Sequence, residues 1–174
     1  MATNISGSTG IDKIQDGVIS AADISSSVNL GKVLQVVAVN GRNSDFNTTS
    51  TSNVLLTDSS ITITPTSTTS RVYVTWQIST HQNSTGRAAL SAYRGSTDLG
   101  IIFATRNWAS TGYIDKTTQT SCFDHPNTTA AVTYSLYAKV DNGSSFYAHR
   151  TWLNNGDPRM RIVAMEIEAD TSWS

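Results

Sequence analysis

The chain has 174 residues, of which 38% are hydrophobic and only 14% charged, with 12 Lys and Arg against 13 Asp and Glu. That length suits one domain with a short appendage. The net charge of −1 offers no long-range attraction to nucleic acid or anionic lipid, and no run approaches the roughly 18 consecutive apolar residues of a membrane span. Eleven of the acids are Asp and only Glu166 and Glu168 are Glu, amid abundant Ser, Thr and Asn. Those residues favour turns and caps over helix interiors. Cys122 is the single cysteine, which excludes an intrachain disulfide and is expected to be a buried, unreactive thiol.

Residues 1–31 stand apart from the rest. Met1–Gly10 is small and polar, without the basic start and apolar stretch of a signal peptide, so the mature chain is expected to be the translated one. Ile11, Ile14 and Val18 have helical spacing, but Asp16-Gly17 argues for a turn. The expectation is an extended arm with at most a short helix near Ser20–Ser25. Ordering each residue costs about 1–2 kcal/mol of backbone entropy, more than so few apolar groups recover alone. The arm therefore needs a partner surface, with Ile11, Ile14, Val18, Ile19 and Ile24 as its anchoring residues.

From residue 32 the pattern turns to period two, the signature of strands with one buried face. Val33–Val39 is β-rich, Asn47–Ser52 is a low-complexity surface loop, and Ser60–Thr64 alternates until Pro65. In Arg71–Ile78, Val72, Val74, Trp76 and Ile78 point one way and Arg71, Tyr73, Thr75 and Gln77 the other, as in a half-buried antiparallel strand. Further strands are expected at Ala88–Arg94, Gly100–Arg106, Thr117–Phe123, Ala131–Val140, Ser145–Leu153 and Arg161–Ala169. Asp141-Asn142-Gly143 predicts a hairpin turn between two of them. Eight or nine short strands without a fixed repeat point to an all-β, antiparallel two-sheet sandwich, a jelly roll, spanning 32–174 behind the arm.

Two stretches taken together carry a resemblance: Gly10-Ile11-Asp12-Lys13-Ile14-Gln15-Asp16-Gly17-Val18, and Gly31-Lys32-Val33-Leu34-Gln35-Val36-Val37 followed by Ile61-Thr62-Ile63-Thr64-Pro65 and a Val/Trp-rich strand. The chain resembles, from about Gly10 to Ile167, a family of small virion proteins of tailed phages often labelled tail-fibre or structural proteins. The resemblance implies a homotrimer of jelly-roll heads on the particle surface, joined by an N-terminal segment to other virion proteins of capsid or tail. Its motifs are structural and none is catalytic. No heptad run or fibrous repeat supplies a stalk.

Chemistry-bearing constellations are sparse. Glycoside hydrolysis needs two carboxylates at a controlled separation, and the candidates are Asp98, Asp115 and Asp124, which solvated loop positions explain better. His81, His125 and His149 have no metal-ligand spacing, and only a threefold axis could make three ligands of one, so no metal site is assigned. No Gly-x-Ser-x-Gly elbow or phosphate-binding glycine loop occurs, and no cofactor is expected. Aromatics outside the expected core are Tyr93, Trp108, Tyr113, Tyr147, Trp152 and Trp173. With Arg87, Arg94, Arg106 and Arg150 they could stack on a host surface glycan or form a subunit interface. Trp108, Tyr113, Arg106 and Tyr93 are the contact candidates. The leading expectation is a non-enzymatic capsid decoration or short head fibre. The rivals are a receptor-binding tail-fibre tip, touching glycans through outward loops at Asp98–Tyr113 or Phe123–Thr129, and behind it a glycan hydrolase.

Overall fold

The computed structural model describes residues 33–40, 45–83, 85–108, 113–141, 144–148 and 160–169. The arm, with Ile11, Ile14, Val18, Ile19, Ile24 and the helix expected near Ser20, lies outside them. The described residues form eleven strands and no helix: β1 Val33–Asn40, β2 Phe46–Thr48, β3 Val54–Leu55, β4 Ile61–Ile63, β5 Arg71–Asn83, β6 Gly86–Arg94, β7 Thr97–Asn107, β8 Tyr113–Asp124, β9 Val132–Val140, β10 Ser145–Ala148 and β11 Arg161–Ile167.

All ladders are antiparallel. In the first sheet β8 pairs with one edge of β5, and β11 then β1 follow on the other. β10 takes the far half of that second edge, Thr80–Asn83, and carries β2 beyond it. The second sheet runs β7-β6-β9, with β4 and β3 sharing the outer edge of β9. The pairs β1–β11, β4–β9, β5–β8 and β6–β7 are nested, as if one long hairpin had been rolled into two sheets. That is the jelly roll expected from the strand count.

The tip of the roll is the two-residue loop Gly95–Ser96, closed by Arg94 opposite Thr97. Gly95 has φ +56°, a conformation glycine adopts without a Cβ penalty. β7 then carries two bulges, since Ile102 and Leu99 have no partner of their own in the β6 register. A bulge re-aims the residues beside it. This lets the consecutive Ile102 and Phe103 both pack on the core, while Ile101 stays exposed.

The core forms where the inward residues of both sheets interdigitate. Val72, Val74, Trp76 and Ile78 of β5 are buried, and they meet Leu90, Tyr134, Leu136, Ile61, Phe146 and Ile162 in one cluster. The alternation expected over Arg71–Ile78 is observed, and the strand continues to Asn83. Trp76 Nε1 donates across the sandwich to the Ser59 carbonyl at 2.9 Å. The Ser59 hydroxyl in turn donates to the Leu56 carbonyl at 2.7 Å and accepts from Leu136 N at 2.9 Å. One buried turn therefore holds the largest core side chain and the adjacent ladder together.

Polar bonds lace the two open sides. On one, Thr120 Oγ1 donates to the Ile102 carbonyl at 3.0 Å and Lys116 Nζ to Thr105 Oγ1 at 3.2 Å, joining β8 to β7. On the other, Gln35 Nε2 donates to the Thr64 carbonyl and to Glu166 Oε2, both at 2.6 Å. Glu166 is fully buried, and its Oε1 accepts from Thr66 N at 2.7 Å and Thr66 Oγ1 at 2.8 Å. Burial pushes its carboxyl up, but the hydrogen bonds from Gln35 and Thr66 outweigh this and hold it below the usual glutamate value.

Several sequence-based expectations need correction. β9 and β10, the strands on either side of Asp141-Asn142-Gly143, lie in different sheets and do not pair with one another as the expected hairpin requires. Both edges of β9 are occupied, one by β6 and one by β3 and β4, leaving no place for β10. Asn47 and Thr48, expected in a loop, belong to β2, where Phe46 and Thr48 are buried on either side of exposed Asn47. Asp98–Tyr113 is not an outward loop, because β7 takes it up to Asn107 and β8 begins at Tyr113. Phe123 and Asp124 end β8 and do not open a loop. β10 ends at Ala148, and the rest of the expected Ser145–Leu153 strand falls outside the described residues.

Candidate functional site

The outer face of the second sheet carries the feature best suited to a ligand. Its inward positions, Ala88, Leu90, Tyr134, Leu136 and Ala138, are core. Pleating therefore turns Arg87 and Ala89 of β6, Ala104 and Arg106 of β7, and Lys139 of β9 outward. Register then sets them side by side: Arg87 faces Arg106, Ala89 faces Ala104 on one flank and Lys139 on the other. The two alanines leave a floor with no side chain beyond Cβ. Above it lies an open groove of about 750 Å³, whose lining also includes Thr51, Ile101 and Asp141.

The electrostatics of this groove are one-sided. Like charges directly opposite on adjacent strands oppose pairing, yet Arg87 and Arg106 occupy such a pair. Arg87 is partly compensated by Asp141, whose Oδ2 lies 3.8 Å from its Nε and whose Oδ1 accepts from its backbone N. Both side chains are more than half exposed, so solvent screens the ion pair. Among the described residues neither Arg106 nor Lys139 has a carboxylate partner. Arg106 instead lies over the Trp108 ring, 3.4 Å from its centroid, and Trp108 is 71% exposed.

Of the four contact candidates, Arg106 and Trp108 are thus brought together at the groove. Tyr113 opens β8 opposite Asn83, and its side chain is not among those described. Tyr93 is elsewhere: it lies six residues along β6 from Arg87, about 20 Å at the rise of a strand. It is held in place there. Its ring stacks on Tyr137 at 4.0 Å, its hydroxyl accepts from Asn53 Nδ2 at 2.8 Å and donates to Asp98 Oδ2 at 3.1 Å, and Asp98 Oδ1 accepts from Gly100 N. Tyr93 and Asp98 are thereby bound into one network that secures the roll tip and its bulge.

Asp124 is likewise engaged. Its Oδ2 accepts from Arg94 Nη1 and from the Tyr134 hydroxyl, each at 2.7 Å. Burial pushes the Tyr134 phenol far up, and the hydrogen bond to Asp124 adds to it. Cys122, two residues away, is pushed up to about 12 by burial and then by the Asp124 charge, which keeps its thiol protonated and inert. Asp115 opposes His81 across the β8–β5 ladder, and its side chain is not described. His81 is buried against the Tyr147 ring at 5.4 Å, His125 is exposed with Nε2 3.0 Å from the Thr68 carbonyl, and His149 lies outside the described residues. Among the described residues no three His, Cys, Asp or Glu converge as metal ligands.

Lys139, Ala89 and Ala104 were not singled out by the sequence. Lys139 is the outward residue between Ala138 and Val140 in an alternating strand, which is a signal, but its neighbours come from the pairing of strands distant in the chain.

No family model and no curated protein matches the chain. Among solved structures it is similar to the structure of infectious bursal disease virus, Gx strain, at 13% identity and a TM-score of 0.36. The match covers 76% of this chain and 37% of that one, so this chain spans well under half the length of its neighbour. The sandwich assignment rests on the ladders themselves.

Proposed function

We propose that the chain is a non-enzymatic structural protein of a bacteriophage particle, a homotrimer seated on capsid or tail by residues 1–31 and serving as surface decoration or a short head fibre. The observation that carries this reading is the outer face of the first sheet. Val36 of β1, Met165 of β11, Tyr73 of β5 and Phe123 of β8 form one continuous cross-strand row. Val36 is 58% and Phe123 46% exposed. Leu34, Val163 and Ile167 extend the row on the same face, and none of these seven belongs to the core cluster. A contiguous apolar patch on a protein surface marks an interaction site.

The occupant we assign is a second copy of the chain. The next rows of the same face hold Thr75 and Ser121, then Gln77 and Gln119, all groups that both donate and accept. Such a fringe can bond to its own copy without opposing fixed charges, with Arg71 and Arg161 only at the two ends. The number three comes from the family resemblance. Sedimentation velocity tests the face: the native chain runs as a trimer, and Met165→Asp, placing a charge at its centre, runs as a folded monomer with an unchanged circular dichroism spectrum. A variant that stays trimeric would remove this face from the interface. For location, immunogold labelling of particles with antibody to residues 32–174 gives label spread over the head for decoration and label confined to the tail for a fibre.

The basic groove favours a second reading, a receptor-binding module for host surface glycans. Its mark is binding of the isolated protein to host cells, with loss of adsorption when the protein is deleted.

A further inference from the structure

We infer that the groove on the second sheet is a binding site for an acidic saccharide, a sugar bearing a carboxylate or an ester phosphate or sulfate. The inference deepens the glycan-binding reading and rests on it.

Three features of the groove combine to specify that class. First, Arg87, Arg106 and Lys139 bring three cations to one concavity against the single carboxylate of Asp141, on a chain whose net charge is −1. The excess is therefore local. Burying one anion there relieves the Arg87–Arg106 opposition and supplies the partner that Arg106 and Lys139 lack among the described residues. Second, the floor is Ala89 and Ala104, with exposed Ile101 beside them, an apolar bed of the kind that receives the C–H face of a ring. A bare inorganic anion gains nothing from such a floor. Third, Asp141 can accept hydrogen bonds from sugar hydroxyls, whereas it would repel the continuous phosphates of a nucleic acid. Next to the groove, the exposed indole of Trp108 is fixed by Arg106 and offers a second platform for a neighbouring sugar ring.

The three cations and the alanine floor all belong to one sheet. Arg87, Ala89, Ala104, Arg106 and Lys139 sit on three adjacent hydrogen-bonded strands, so the cation spacing is set before the ligand arrives, which lowers the ordering cost of binding.

The test is calorimetry on the full chain at low and physiological salt with three probes: trigalacturonate, neutral maltotriose and inorganic phosphate. We expect trigalacturonate to bind, weakening as salt rises, and to bind at least tenfold more tightly than either of the others. Arg106→Gln and Lys139→Gln, both on the surface, each weaken it at least tenfold, while Arg71→Gln on the opposite sheet leaves it unchanged. Equal binding of maltotriose, unaffected by Arg106→Gln, overturns the acidic class and leaves the glycan-binding reading standing. Phosphate binding as tightly as trigalacturonate overturns a saccharide site. Failure of both sugars to bind overturns the inference and the glycan-binding reading with it.

Discussion

Trp76→Ala lowers the unfolding free energy by about 3–5 kcal/mol, the range for removing a large buried aromatic. Trp76 is fully buried at the middle of β5, the strand that carries ladders to β8, β10 and β11. Its loss opens a cavity between the sheets that the surrounding ladders cannot close without breaking register. It also leaves the Ser59 carbonyl without its indole donor. Trp76→Phe separates the two contributions, since it keeps most of the volume and removes the hydrogen bond, at about 1–3 kcal/mol for the buried acceptor left unpaired. Urea denaturation of both variants gives the comparison. A loss below about 1 kcal/mol for Trp76→Ala would mean that the two layers do not share this side chain as their common core.

Acid destabilises the native chain through Glu166, and Glu166→Gln removes that sensitivity. The carboxyl is held below its unfolded value near 4.3, so the folded state binds fewer protons than the unfolded state around that pH. The stabilisation is complete above the unfolded pKa and disappears as pH falls through the folded one. In Glu166→Gln the amide nitrogen must face either the Gln35 donor or the two Thr66 donors, a donor against donors in a buried site. The variant is weaker by about 2–4 kcal/mol at pH 7, and its stability changes less between pH 6 and pH 3 than that of the native chain. Urea midpoints at both pH values measure this. Equal acid losses in the two proteins would assign the acid sensitivity to other groups.

How far the sequence could be read follows from which interactions are local. Alternation is written residue by residue, so β5, β9 and β11 are legible, and so is the sandwich class they imply. Gly95-Ser96, which the structure uses as the roll tip, is not among the turns expected from the sequence. Asp141-Asn142-Gly143 is expected as a hairpin turn, yet the strands on either side of it lie in different sheets, because pairing is decided by which strand edges are free. β2 and β3 are too short for periodicity to show. At the groove, Arg106 and Trp108 were each legible as contact candidates, and the structure sets them against one another. Lys139 and the alanine floor were not, because they meet only through the β6–β7 and β6–β9 registers. Tyr93 shows what the sequence does not carry: an aromatic near a strand end looks available, while the stacking on Tyr137 and the bond from Asn53 that hold it in place come from residues distant in the chain, and the bond to Asp98 from the facing strand β7.

The position of β11 has a consequence for synthesis. It fills the slot between β1 and β5, and it carries Ile162, Ala164 and Glu166 into the interior. While the ribosome has yet to deliver Arg161–Ile167, β1 has no ladder at all and the facing edge of β5 is open over Arg71–Gln77. The second sheet, whose strands end at Val140, can be complete by then. The last strand to be delivered is thus an interior one, so a nascent or prematurely stopped chain leaves β1 and the Arg71–Gln77 edge of β5 open to its neighbours.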